Sequence, residues 1–117
     1  MTAIHVFIRL YLPNGHRIGP GKIALLEAIR TEGSITAAAR YLGMSYRRAW
    51  ELVEELNATF GRPLVESRAG GKAGGGADLT PLGYFVIGRY RAIQKAVEQA
   101  SHGHLSALQA EIYAKRR

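Results

Sequence analysis

Apolar and polar positions alternate at the start of the chain. Ile4, Val6, Ile8, Leu10 and Leu12 fall on one side, and His5, Phe7, Arg9 and Tyr11 on the other. A period of two with β-branched residues predicts a strand over 4–12. Pro13-Asn14-Gly15 is a turn signal, and His16-Arg17-Ile18 reads as a short return strand. The period then lengthens. Ile23, Leu26 and Ile29, with Leu25 beside them, form the apolar stripe of a helix over 21–31, opened by Gly19-Pro20-Gly21 and ended by Gly33. Ser34 is a natural N-cap for a second helix over 35–42, Gly43 a left-handed stop, and Ser45 the cap of a third helix over 46–60. Ala49, Val53, Leu56 and Phe60 recur at helical spacing there, and Trp50 is expected to face the core with them.

Residues 63–68 read as a strand, 69–77 as a glycine-rich loop and Asp78-Leu79 as a short return strand. Thr80-Pro81 then starts a long helix lined by Leu82, Val86, Ile93, Val97 and Ala100. Ser101-His102-Gly103-His104 is expected to interrupt it, and Leu105, Leu108 and Ile112 to mark a last helix. No internal repeat is visible. A hairpin, three short helices, a two-stranded wing and a long helix describe a mainly α protein with a small β component. The arrangement is a winged helix-turn-helix with an N-terminal strand or hairpin and a long C-terminal helix. One domain over 1–117 is expected, with the helix-turn-helix core and wing over 19–80 and dimerising helices over 80–115.

The charge balance adds a partner class. Sixteen Lys and Arg stand against nine Asp and Glu, a net charge of +7, which attracts polyanions and speeds encounter with them. The 117 residues hold no cysteine, so disulfides and thiolate metal sites are excluded. The apolar run over 4–12 is broken by His5 and Arg9 and is too short to span a bilayer or serve as a signal peptide. No membrane association and a cytoplasmic location are expected.

The informative stretch is 34–60. Ala38 and Ala39 let two helices cross closely, Gly43 makes the turn, Met44 can plug the gap between the helices, and Ala49 receives the second helix. A generic helical hairpin is the plainer reading of this spacing. The charges sharpen the helix-turn-helix reading. Arg47 and Arg48 occupy the first turn of the third helix, where the macrodipole is already positive, a cost of roughly 0.3–1 kcal/mol each when exposed. A docked phosphate or guanine edge removes the conflict, and recognition helices enter the major groove by their N-terminal residues. Without DNA, Arg47 is expected to pair with Glu51. The candidate DNA-contacting residues are Ser34, Thr36, Ser45, Tyr46, Arg47, Arg48, and Arg68 and Lys72 of the wing. Tyr46 lies nearer the apolar face than Arg47, so packing is its alternative role.

Other chemistry finds no support in the sequence. A phosphate-binding P-loop requires Gly, four residues, then Gly-Lys-Ser/Thr, whereas Gly71-Lys72 is followed by Ala73 and preceded at the first glycine position by Glu66. The loop is read instead as a basic wing on a DNA backbone, or as a bare hairpin tip. His102 and His104, two residues apart among scattered carboxylates, fall short of a metal shell. No catalytic constellation can be assembled, so neither an enzyme, a cofactor nor a metal is expected.

Several blocks carry a resemblance. Gly33-Ser34-Ile35-Thr36-Ala37-Ala38-Ala39, Gly43-Met44-Ser45-Tyr46-Arg47-Arg48-Ala49-Trp50, Leu64-Val65-Glu66, the glycine-rich 70–76 and Leu79-Thr80-Pro81-Leu82-Gly83 together resemble the DNA-binding domain of the ModE-type molybdate-responsive regulators. The first block also resembles the LysR-type helix-turn-helix. The resemblance spans about 19–100. It implies a dimeric transcriptional regulator that reads a palindromic operator in double-stranded DNA with its third helix and dimerises partly through its long fourth helix. Members of that family carry a C-terminal molybdate sensor of small β-barrel repeats, whereas this chain ends in a helix soon after the DNA-binding part. Direct molybdate sensing is therefore not expected, and an effector would act through a separate sensor protein, a ligand at the dimer interface or protein abundance. The competing readings are a winged-helix module that binds an acidic protein and an oxyanion-binding accessory protein.

Overall fold

The computed structural model describes residues 4–69 and 75–114. Its elements are β1 (Leu10–Tyr11), β2 (Arg17–Ile18), α1 (Pro20–Glu32), α2 (Ile35–Leu42), α3 (Tyr46–Phe60), β3 (Val65–Arg68), β4 (Gly76–Leu79) and α4 (Pro81–Ala114). Two antiparallel hairpins, β1–β2 and β3–β4, flank the three short helices. The fold is the winged helix-turn-helix expected from the sequence.

Helix ends explain the boundaries. Ser34 Oγ accepts the Ala37 amide at 3.0 Å and Ser45 Oγ the Arg48 amide at 3.0 Å, so both serines cap as expected. Gly43, at φ +70°, closes α2 by donating its amide to the Arg40 carbonyl, while Met44 donates to Ala39. That pair of bonds is a Schellman ending, and it needs the left-handed glycine. The buried Thr80 hydroxyl donates to the Pro63 carbonyl at 2.8 Å and accepts the Gly83 amide at 3.1 Å, which fixes the start of α4 against the strand entering the wing.

One core fills the space between these elements. Ile23, Leu25, Leu26 and Ile29 of α1, Ala38 and Ala39 of α2, and Ala49, Val53 and Leu56 of α3 are buried together. Leu64, Val65, Ala77 and Leu79 of the wing base and Val86, Ile87 and Tyr90 of α4 complete it. Met44 packs at its edge. The wing is pinned to the α1–α2 corner by the Gly33 carbonyl, which accepts from the Ala77 amide at 2.9 Å and from Arg68 Nη2 at 2.8 Å. Glu27 of α1 and Arg91 of α4 form a two-point ion pair at 2.6 and 3.0 Å.

Three expectations are corrected. The alternating burial over 4–12 is present, but only Leu10 and Tyr11 pair as a strand. Further upstream the backbone is satisfied by α4 side chains: Tyr90 Oη donates to the Ile8 carbonyl at 2.7 Å and Gln94 Nε2 to the Val6 carbonyl at 3.1 Å. Trp50 is not in the core; it is 47% exposed. It lies about 100° around the helix from Ala49, and the apolar centre there is taken by Leu52, Val53 and Leu56. Finally, α4 runs unbroken through 101–104, so the C-terminal part is one helix and not two. A single glycine costs about 1 kcal/mol in a helix interior, and Ser101 turns its hydroxyl onto the Val97 carbonyl at 2.6 Å.

Burial pushes the Tyr90 phenol above its ordinary pKa, against a smaller lowering by Arg91. Its raised pKa means the neutral, donating form stabilises the fold below about pH 10, and that contribution is lost as pH rises further. Tyr90→Phe is expected to cost about 1 kcal/mol, read as a lower urea midpoint with an unchanged slope, and to soften the alkaline limb of the stability profile.

Candidate nucleic-acid interface

Because α2 stops at Gly43 and α3 restarts after the Ser45 cap, the first turn of α3 projects from the core. Taking Ala49 as the buried meridian, Tyr46 lies on one flank, Arg47 points straight outward and Arg48 lies on the other flank. The Arg47 side chain is 88% exposed and its Nε contacts Glu51 Oε2 at 3.4 Å, the expected pairing. Arg48 Nη1 approaches Glu51 Oε1 at 3.9 Å. An exposed pair of this kind is worth well under 1 kcal/mol, so both guanidiniums are available to a stronger anion. No acidic residue sits in the first turn of α3.

On the Tyr46 flank a cleft separates α2, α3 and the wing. Ser34, Thr36, Tyr46 and Arg68 line it together with Ser67 and Gly76. Four residues named from the sequence thus meet in one place, with Ser45, Arg47 and Arg48 beside them on α3. Tyr46 is 53% exposed, so it does not spend its ring on the core. Ser34 and Ser45 have hydroxyls that accept from helix amides and still hold a donor hydrogen. Arg68 is more constrained than expected. Besides Gly33, its Nε pairs with Asp78 Oδ2 at 2.8 Å across the hairpin, so the side chain braces the wing. Lys72 lies outside the described residues.

Sequence reasoning missed Trp50, which is exposed one turn beyond Tyr46, next to Arg47. Helical phase alone could have found it. It also left Arg9 and Arg17 of the N-terminal hairpin unassigned, although both fall on the exposed side of that hairpin. Among the described residues no group of His, Cys, Asp and Glu is arranged to hold a metal ion. No described helix is long and apolar enough to cross a membrane.

Comparison with known proteins bears on the fold and the family. The chain is 49% identical over 83 residues to the molybdenum-pterin-binding protein MopB of Rhodobacter capsulatus, covering 71% of this chain and 31% of that protein. It is 38% identical over 102 residues to the molybdenum transport protein ModE of Azotobacter vinelandii, covering 86% and 38% respectively. The chain therefore spans about a third of the length of these relatives. Among solved structures it resembles the DNA-binding domain of CbnR, determined as a DNA complex, with a TM-score of 0.58. That likeness covers 75% of this chain and 95% of that one at 23% identity, and is a likeness of fold. Residues 21–84 match the profile of bacterial regulatory helix-turn-helix proteins of the lysR family, and the chain belongs to that family.

Proposed function

We propose that the protein is a sequence-specific, double-stranded DNA-binding transcriptional regulator. It acts in the cytoplasm as a homodimer and without enzymatic activity. The observation that carries this reading is the first turn of α3. Two adjacent arginines stand exposed at a positive helix end, beside a cleft that gathers Ser34, Thr36 and Tyr46 from two helices. With α3 in the major groove, Arg47 reaches a guanine edge or a phosphate, and Arg48, Tyr46, Ser45, Ser34 and Thr36 hold backbone phosphates. Arg68 orients the wing, which carries Lys72 to the DNA. Residues 19–80 form the reading unit, and α4 brings a second copy to the other half of a palindromic operator. Two relatives are named for molybdenum, so DNA upstream of molybdenum-transport genes is the first operator to try.

The test is Arg47→Ala against the operator and a shuffled duplex of equal length. Loss of a bidentate base contact is worth about 1–3 kcal/mol of discrimination, so the affinity gap between the two duplexes is expected to shrink about five- to 150-fold. A folded Arg47→Ala protein with an unchanged gap removes Arg47 from the reading surface. The single tryptophan, Trp50, sits on the same face and supplies an internal probe. Its emission is expected to change when operator is added. Unchanged emission at saturation places the DNA away from α3.

A further inference from the structure

Arg48 faces away from the wing, and a second cleft opens on that flank of α3. Arg9, Arg17, Lys22 and Arg48 converge there from the N-terminal segment, β2, α1 and α3, with Glu55 as the one carboxylate. Glu55 is already engaged by Lys22 Nζ at 3.1 Å, and the same ammonium donates to the Arg17 carbonyl at 2.8 Å. Among the described residues the side chains of Arg9 and Arg17 have no ion-pair or hydrogen-bond partner, and both residues are exposed. Arg9 lies along Gly19, where a Cβ would stand 3.3 Å from its Nε. The missing side chain lets that guanidinium rest over the start of α1, whose first turn holds no acid. Three guanidiniums and an ammonium thus line one cleft whose single carboxylate is already engaged by Lys22, and this excess of positive charge favours a bound polyanion.

We infer that this cleft grips the phosphate backbone of the second DNA strand. The inference rests on the DNA-binding reading above. A major groove is about 12 Å wide and a helix with its side chains about 10–12 Å across. An inserted α3 therefore has a phosphate strand along each flank. The wing-side strand meets Ser34, Thr36 and Tyr46. The strand on the hairpin side meets Arg48, Arg9 and Arg17, whose forked donors match phosphate oxygens. Arg9 and Arg17 precede the residues matched by the family profile, 21–84, so the N-terminal hairpin adds a contact of its own to the shared reading unit.

The decisive variant is Arg9→Ala/Arg17→Ala, titrated by fluorescence anisotropy against operator and shuffled duplex over a salt series. Each lost phosphate contact lowers the slope of log K on log salt by about 0.9. The expected result is a slope shallower by about 2 and an affinity at least about tenfold weaker near 0.1 M salt, on both duplexes alike. Arg9→Lys/Arg17→Lys is expected to keep most of the slope. Arg17→Gln alone, at an exposed side chain, guards against misfolding of the double variant and should lose about 1 in slope. If the parent binds and the double alanine variant matches its affinity and slope, the second grip is wrong while the DNA reading stands. A parent that binds neither duplex overturns both.

Discussion

Gly83→Ala is expected to lower stability by about 2–3 kcal/mol, within the range for overpacking. The first turn of α4 lies directly on the chain entering the wing. A Cβ at Gly83 would be driven into the Leu64 carbonyl oxygen and would stand 3.3 Å from Leu79 Cβ. The Leu64 carbonyl cannot retreat freely, since it accepts the Thr80 amide at 2.9 Å. The gain in helix propensity, about 1 kcal/mol, is too small to reverse the sign. Thermal unfolding at fixed protein concentration should show a midpoint about 10 °C lower. Gly88→Ala is the control: it is exposed on the same helix, with nothing within 4 Å of the new Cβ. It should raise the midpoint slightly. Equal effects of the two substitutions would contradict the packing of α4 on the wing base.

The second large effect is expected at Ile93 and Val97. The stripe that buries Val86 in the core continues along α4 through Ile93, Val97 and Leu108, which are 41%, 37% and 59% exposed. The chain is 62 Å long in its greatest dimension, because the second half of a 34-residue helix extends past the core. In the proposed homodimer this stripe would lie against the same stripe of a second copy. Ile93→Asp/Val97→Asp is expected to yield a monomer by sedimentation. It should bind a half-site as the parent protein's own subunit does, yet lose about 10²–10⁴ in affinity for a two-half-site operator, the usual worth of bivalency. A double variant that still sediments as a dimer moves the interface elsewhere. A monomeric variant with full operator affinity removes the need for dimerisation.

The reading unit was legible because local chemistry and tertiary packing agree there. Ser34, Gly43 and Ser45 specify helix ends through bonds to neighbours within five residues, and α2 and α3 have the predicted bounds. The wing was legible for a similar reason, as Pro63 and Thr80 bracket it. The differences arose where a distant partner decides. Residues 4–9 alternate like a strand, but α4 and not a neighbouring strand receives their carbonyls. Trp50 is the bulkiest apolar residue of α3, yet its angle and not its size determines its exposure. Gly103 and two histidines resemble a helix break locally, and nothing in the sequence shows that the flanking turns hold. Within the site, proximity was the hidden part. The meeting of Ser34, Thr36, Tyr46 and Arg68 in one cleft depends on how the wing folds back onto the α1–α2 corner through Gly33. The Arg68–Asp78 pairing follows from the hairpin register, which sets Glu66 opposite Asp78 and Arg68 opposite Gly76.

The central claim is that α3 and its flanks read DNA sequence. Its most direct test is fluorescence anisotropy of the unmodified protein with the candidate operator and with a shuffled duplex, from low to moderate salt. The account predicts affinity for the operator about 10³-fold or more above that for the shuffled duplex, with both falling steeply as salt rises. Absence of binding to either duplex at low salt would contradict it and would favour an acidic protein as the partner of this basic surface.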